Sequence, residues 1–316
     1  MTVIDLRTMR ETETPPFSVV CLGNFDGVHN GHRTLAYAAL KKRDELSARF
    51  PGIACGACFF RVSSVDFLSS ARTPHLSTFS QKLALFASLG LDYAFVADFE
   101  AIRNLTPEQY VTDVLKKQLH CVFSVCGFNF HFGNKAAGNA DDLVELMNGN
   151  AQVIPPVCVG ELPVSSSLIR QKVAEGDVDS LPELLGRPYC IDEEVLHGKG
   201  LGRTWGLPTI NQRFPAELAV PQHGIYITRT LVDGIAYPSV SNVGIRPTVE
   251  QSETVNCETH VLDFDRDVYG KTVKVEFLKR LRGEIRFDSP EALQEQIRED
   301  IAKTRIYYKE ASSYDS

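Results

Sequence analysis

Two hydrophobic rhythms follow each other along the chain. In the first, short apolar runs alternate with longer stretches of helical periodicity. Val19, Val20, Cys21 and Leu22 form an apolar run that begins with β-branched residues, the pattern of a strand buried on both faces of a parallel sheet. From Asn30 the spacing becomes helical: Leu35, Ala36, Ala39 and Leu40 share a face, and Lys41, Lys42 and Arg43 lie near the far end. Residues 53–60 predict the next strand, so strand, helix and strand make a βαβ unit. Residues 79–90, FSQKLALFASLG, predict a helix with a glycine stop. Tyr93, Ala94, Phe95 and Val96 predict a short strand. Thr106-Pro107-Glu108-Gln109 predicts a helix start, with Thr106 as N-cap, Pro107 at the first helical position and Gln109 completing a capping box. CVFSVC at 121–126 is one more buried strand. This rhythm predicts a doubly wound α/β domain with its site at the carboxyl ends of the strands.

After Leu184-Leu185-Gly186-Arg187-Pro188-Tyr189 the second rhythm begins. Strand-like pieces at 190–195, 224–231, 236–243, 256–264 and 272–277 alternate with turns, which predicts a small antiparallel barrel. Ser289-Pro290-Glu291 then opens an amphipathic helix with Leu293, Ile297 and Ile301 on one face. The tail at 311–316 is polar and expected to fray. The expected boundaries are 1–184 for the first domain and 185–316 for the second. A length of 316 residues suits two cores rather than one.

The formal net charge of -7 argues against a polynucleotide partner. The first sixteen residues hold no apolar signal core, and no later run approaches a membrane span, so a cytoplasmic location is expected. The eight cysteines are scattered, most of them in apolar runs, and read as reduced, buried small residues. Cys55 and Cys58 are formally spaced as CxxC. They precede Phe59 and Phe60 in a strand rather than opening a helix, and no second CxxC follows, which argues against redox or zinc chemistry.

The candidate chemistry starts where the first strand ends. Gly23-Asn24-Phe25-Asp26-Gly27 is turn chemistry, and His29 and His32 stand at the start of the helix behind it. A helix N-terminus offers unpaired N–H groups and partial positive charge, glycines let backbone approach an anion, and two imidazoles at i and i+3 can donate to the same oxygens. The segment suits a phosphate that carries developing charge, without any nucleophile. Ser165, Ser166 and Ser167 offer a second capped helix start, with Arg170 one turn on.

The string GNFDGVHNGH resembles the signature of the HxGH nucleotidyltransferases. Nearly the whole chain resembles the bacterial bifunctional riboflavin kinase/FMN adenylyltransferase family, also called FAD synthetases. Ser165-Ser166-Ser167-Leu168-Ile169-Arg170 is similar to the family's ISSTxIR string, and Gly206-Leu207-Pro208-Thr209-Ile210-Asn211 carries its PTxN kinase signature. Asn242-Val243-Gly244-Ile245-Arg246-Pro247-Thr248 and the segment around Glu258 also match. The resemblance implies a Rossmann-like nucleotidyltransferase domain, followed by a riboflavin kinase-like barrel that ends in a helix.

It implies that Gly23, Asn24, Phe25, Asp26, His29, His32, Ser166, Ser167 and Arg170 bind ATP, with His29, His32 and Arg170 stabilising the leaving pyrophosphate. Asn129, Phe130, Arg282 and Phe287 would meet the flavin. Gly198, Lys199, Gly202 and Arg203 would fold over the kinase's ATP. Thr209 and Asn211 would hold Mg²⁺ and phosphate oxygens, and Glu258 would be the kinase's general base. Without the PTxN string, Glu258 reads as a surface strand glutamate paired to a lysine, and core packing with a glycine turn is the competing reading for the aromatics at 128–132. The implied partners are riboflavin, FMN, FAD and ATP, with no nucleic acid and no membrane, acting in a monomer or weak homo-oligomer.

Three departures stand out. Phe59-Phe60-Arg61-Val62-Ser63-Ser64 stands where the family has a TFEPHP-like string, and both prolines and the histidine are absent. Asn129 stands where the family has an acid, and His131 stands where it commonly has arginine. An alternative expectation is therefore a riboflavin kinase whose first domain is impaired or re-purposed. A third is a flavin or nucleotide sensor without turnover.

Overall fold

The computed structural model describes residues 1–10, 13–61, 73–198, 206–245 and 254–314. The chain divides into two compact units, Met1–Ser166 and Ser167–Ser316.

In the first unit six parallel strands form one sheet: β1 (Thr2–Asp5), β2 (Ser18–Leu22), β3 (Ala54–Phe60), β4 (Tyr93–Ala97), β5 (Cys121–Gly127) and β6 (Ala151–Ile154), in the order β1-β4-β3-β2-β5-β6. β2 is buried along its whole length, as its unbroken apolar run requires. Its side chains alternate between two cores. Val19 and Cys21 join Phe25, Leu35, Ala39 and Phe86 on one face, and Val20 and Leu22 join Phe95, Val111 and Leu115 on the other. Helix α1 (Asn30–Leu46) packs on β2, β3 and β5. Helix α2 (Phe79–Ser88) starts with a full capping box. Thr78 Oγ1 accepts from the Gln81 N–H at 3.2 Å, and Gln81 Oε1 accepts from the Thr78 N–H at 3.0 Å.

The capping box read at Thr106 and Gln109 is present as well. The helix behind it continues as a π-helix, Tyr110–Gln118. β1 has no sequence signal, because only Ile4 of its four residues is buried, and it forms by pairing with the edge of β4. The chain leaves β2 toward β3 and β4, then returns to β5 on the other side. The loop after β2 therefore opens at the topological switch point, where open α/β sheets bind ligands.

In the second unit six antiparallel strands follow the order β7-β12-β9-β10-β11-β8: β7 (Tyr189–Glu194), β8 (Ile210–Arg213), β9 (Gly224–Val232), β10 (Ile235–Ile245), β11 (Val255–Val261) and β12 (Thr272–Arg282). The two ends of this order nearly meet. The Leu196 N–H donates to the Asn211 carbonyl at 2.8 Å, and the buried Gln212 amide donates to the carbonyls of Glu193 (2.7 Å) and Val273 (2.6 Å). The expected barrel is thus almost closed, which removes its sheet edges. β8 carries the PTxN asparagine and gave only a motif, not a strand signal.

Part of the interior is a ladder of hydroxyls. Thr228, Thr230, Ser239, Ser241 and Thr259 are fully buried and bond one another at 2.7–2.9 Å, so each is satisfied without water. Helix α3 (Ser166–Glu175) lies at the junction of the two units in the sequence. The long helix α4 (Pro290–Tyr314) packs on β10.

All eight cysteines are free, and six are buried. Burial pushes the Cys55, Cys58 and Cys121 thiols up to about 12, so they stay protonated and inert. No helix among the described residues is long and apolar enough to cross a membrane.

Candidate active sites

The loop from Gly23 to His29 is held in a conformation that its sequence alone disfavours. Phe25 (φ 53°) and Val28 (φ 42°) are left-handed, which is rare for a bulky residue and rarer for a β-branched one. Tertiary contacts hold them there. Both side chains are buried, and the Phe25 ring packs edge-on against Phe86 at 5.1 Å and His32 at 5.1 Å. The Asp26 carboxylate is 3% exposed and accepts from the Leu76 N–H at 2.8 Å. Ser77 Oγ accepts from the Gly27 N–H at 3.2 Å. The loop is therefore fastened to the segment that leads into α2.

His29 is the N-cap of α1, and its Nδ1 accepts from the His32 N–H at 3.4 Å. That bond puts the proton of a neutral His29 on Nε2, where it is a donor. The two imidazoles stack at 3.6 Å, 20° from parallel. Gly31 makes room for the stack, since a Cβ there would lie 3.1 Å from the His29 ring. Burial, with His29 and Lys82 nearby, holds His32 well below the usual histidine range, so it is neutral at pH 7. Its Nδ1 is buried with no hydrogen-bond partner.

Ser166, the first residue of α3, donates from Oγ to the Asp26 carbonyl at 3.0 Å, which ties this helix start to the signature loop. One turn on, half-buried Arg170 donates to Ser167 Oγ at 3.2 Å. Gly23, Asn24, Phe25, Asp26, His29, His32 and Ser166 are thus brought together at the switch point. Ser167 and Arg170 continue along α3.

The segment after β5 separates its aromatics. Phe130 stacks on Phe132 at 5.6 Å and packs on the core, while Phe128 is 53% exposed. Asn129 is exposed, and its carbonyl bonds the His131 ring at 3.0 Å. At the carboxyl ends of β1, β3 and β4, Asp5, Phe60, Arg61, Asp98 and Phe99 line a hollow of about 80 Å³, with Arg61 over the Phe79 ring at 4.3 Å. Val62, Ser63 and Ser64 of the altered string lie outside the described residues.

In the barrel, strand register assembles the site. Asn211 on β8 pairs with Glu258 on β11, and Glu258 pairs with Asn242 on β10. Direct cross-strand partners share a face, so the three side chains form one row. The Asn211 amide is buried against the Gly198 backbone, at a spot where a Cβ would not fit. Asn242 Oδ1 is buried without a partner, and the Glu284 carboxylate lies over Gly244 on the same face. Beside Thr209 opens a hollow of about 410 Å³, lined also by Phe264, Arg266, Asp267 and Tyr269. His197 stacks on Tyr269 at 4.0 Å.

Asn242, Phe264 and Tyr269 were not singled out from sequence as site residues. Their placement follows from register and from the hollow, not from any local spacing. Lys199, Gly202 and Arg203 lie outside the described residues, as do Arg246, Pro247 and Thr248. Arg282 and Phe287 are brought together, the guanidinium 6.0 Å from the ring. The Arg282 head is also committed to a buried ion pair with Asp300 at 2.7 Å, the two being 15% and 2% exposed.

A loop and helix N-terminus at the switch point of a parallel sheet, and a carboxylate–amide row beside a hollow on a barrel, are arrangements suited to a two-part nucleotide transferase. Comparison with known sequences agrees for each part. The FAD synthetase family model matches residues 11–168, and the riboflavin kinase family model matches residues 185–308. The bifunctional riboflavin kinase/FMN adenylyltransferase of Pseudomonas fluorescens is 32% identical, over 91% of this chain and 92% of its own length. That of Bacillus subtilis is 30% identical over 92% of each chain. A crystal structure from Streptococcus pneumoniae, described as a macrolide-efflux protein, has a TM-score of 0.85 at 29% identity, covering 96% of this chain and 99% of that one. The chain belongs to the bifunctional riboflavin kinase/FMN adenylyltransferase family.

Proposed function

We infer that this chain carries out both reactions of its family. The barrel phosphorylates riboflavin with ATP to give FMN, and the α/β unit transfers AMP from a second ATP to FMN, giving FAD and pyrophosphate. The observation that carries the reading is the match of both family domains, residues 11–168 and 185–308, on one chain. The alternative of a re-purposed first domain rests on the lost TFEPHP-like string together with His131.

In the barrel, Glu258 takes the proton of the ribityl 5′-hydroxyl as that oxygen attacks the γ-phosphorus of ATP. Thr209 and Asn211 would hold Mg²⁺. Both offer hard oxygen ligands, and the amide of Asn211 is fixed by its packing on Gly198. When bound, the ion supplies charge neutralisation at the phosphates. The hollow beside Thr209 takes the rest of the nucleotide, with Phe264 and Tyr269 against the base.

In the α/β unit, an FMN phosphate oxygen attacks the α-phosphorus in line, and the bond to pyrophosphate breaks. His29 donates from Nε2, the start of α1 supplies backbone N–H groups, and His32, Ser166, Ser167 and Arg170 complete the cradle for the leaving group. Asn129, Phe130, Arg282 and Phe287 remain the proposed flavin contacts. Phe128 joins them as the exposed ring of its segment. We place the functional boundary at 184/185, so that α3 serves the adenylyl-transfer site. The protein is assigned to the cytoplasm, as a monomer or weak homo-oligomer that acts on small molecules and not on nucleic acid.

A chromatographic time course with riboflavin, ATP and Mg²⁺, repeated from FMN, tests this. FMN followed by FAD is expected from the first start, and FAD from the second. FMN that accumulates with no FAD from either start would remove the adenylyl-transfer activity.

A further inference from the structure

Lys82 belongs to no motif described above. In the sequence it is one polar position of the helix FSQKLALFASLG. A lysine on a helix normally carries its ammonium out to water on a flexible stem. This one turns inward and is 6% exposed. Its Nζ donates to the Asn24 carbonyl, inside the signature loop, at 2.9 Å. It also lies 5.1 Å from the centroid of the Phe59 ring. An inward ammonium costs desolvation energy, so its place under this loop calls for a reason.

The charges around it supply that reason. Asp26 in the loop and His32 on α1 act electrostatically with Lys82; behind them, His29 stacks on His32, and His75 before α2 has its Nδ1 4.0 Å from Asp26 Oδ1. His32 is neutral at pH 7, so it brings a polar ring but no full charge. Asp26 brings the wrong sign for an anion site. The Lys82 ammonium brings a full positive charge to the underside of the loop. Through the Asn24 carbonyl it also polarises the peptide that enters the left-handed Phe25.

We propose that Lys82 is a positioning residue of the adenylyl-transfer site: bonded to Asn24 from below, it holds the strained loop in its phosphate-binding shape and provides the fixed charge behind it. The proposal rests on the adenylyl-transfer reading of this unit. Burial lowers the Lys82 pKa to about 8, with the Asp26 carboxylate pulling the other way. FAD synthesis then loses this charge as pH rises through 8, while riboflavin phosphorylation does not.

The test uses the full-length protein, with FAD formation from FMN and FMN formation from riboflavin both followed between pH 6.5 and 10. Wild type is expected to show an alkaline fall near pH 8 in kcat/KM for FAD formation. Lys82→Met should lose at least 100-fold at pH 7.5, with the kinase within twofold of wild type. Lys82→Arg, whose guanidinium stays charged, should retain activity and shift the fall beyond pH 9.5. A Lys82→Met variant within threefold of wild type overturns the proposal. So does a Lys82→Arg variant that keeps the wild-type fall, or one as inactive as Lys82→Met. If Lys82→Met loses the kinase too, the Lys82→Arg profile alone decides. A wild type that makes no FAD at any pH counts against the activity itself, whereas a Lys82→Met variant that matches an active wild type counts only against the role of Lys82.

Discussion

The two sites handle the same chemical group by different means. In the α/β unit the proposed phosphate cradle is one contiguous loop between β2 and α1, with the Ser166 hydroxyl bonded to it. On the proposed reading, backbone N–H groups and the two imidazoles do much of the work, and the loop holds left-handed residues that its buried contacts sustain. In the barrel, the acting side chains are far apart in sequence and meet because three strands are in register. A loop site of the first kind fails when its support is removed. A row of the second kind fails when one side chain is removed, and the strands around it remain.

The predictions sharpen that contrast. The largest effect is expected at Glu258. Glu258→Ala should lower riboflavin phosphorylation by roughly 10³-fold, in the range for loss of a general base. FAD formation from FMN should stay within twofold, and a stopped assay from each start measures both. A near-wild-type kinase rate would remove Glu258 from the chemistry.

Next comes His32→Ala, which should cost about 10²- to 10³-fold in FAD formation and spare the kinase. Unchanged FAD synthesis would mean that the stacked pair with His29 is only packing.

The smallest effect belongs to Asn242. Its unpartnered Oδ1 stands in the row with Glu258 and Asn211, placed to accept from a substrate hydroxyl. One neutral hydrogen bond is worth about 1 kcal/mol, so Asn242→Ala should lower the kinase kcat/KM by roughly five- to tenfold. An unchanged kcat/KM would show that the amide faces no substrate.

Lys82 sets stability against function within the first unit. Its folded pKa of about 8 lies below the usual lysine value of 10.5, so the folded state binds fewer protons than the unfolded state between these two values. The stability penalty is full below pH 8 and is relieved as pH rises toward 10.5. The same rise removes the charge that the loop is proposed to use. Function and stability thus respond to this proton with opposite sign, as expected of a charge buried for a task.

Much of the fold was legible in the sequence because its signals are local. The apolar run of β2, the capping box at Thr106 and the strand–turn–helix around His29 all depend on neighbours a few residues away. β1 was not legible, since a four-residue strand with one buried side chain exists only by pairing with β4. β8 was read as a motif, because its partners lie on distant segments.

Most of the first proposed site lies in one string, and the sequence by itself was enough to name the family. It also determined that a parallel domain precedes an antiparallel one, through the periods of its apolar residues. Only the tertiary structure decided which way the side chains face. It turned Lys82 inward beneath Asn24, left Phe128 exposed while Phe130 packed, paired Arg282 with Asp300, and set Asn242 in line with Glu258 and Asn211. The physical reason is range. Propensity and capping act within a turn or two of the chain, whereas burial, strand register and the field of a buried charge act between segments that meet only when the chain has folded.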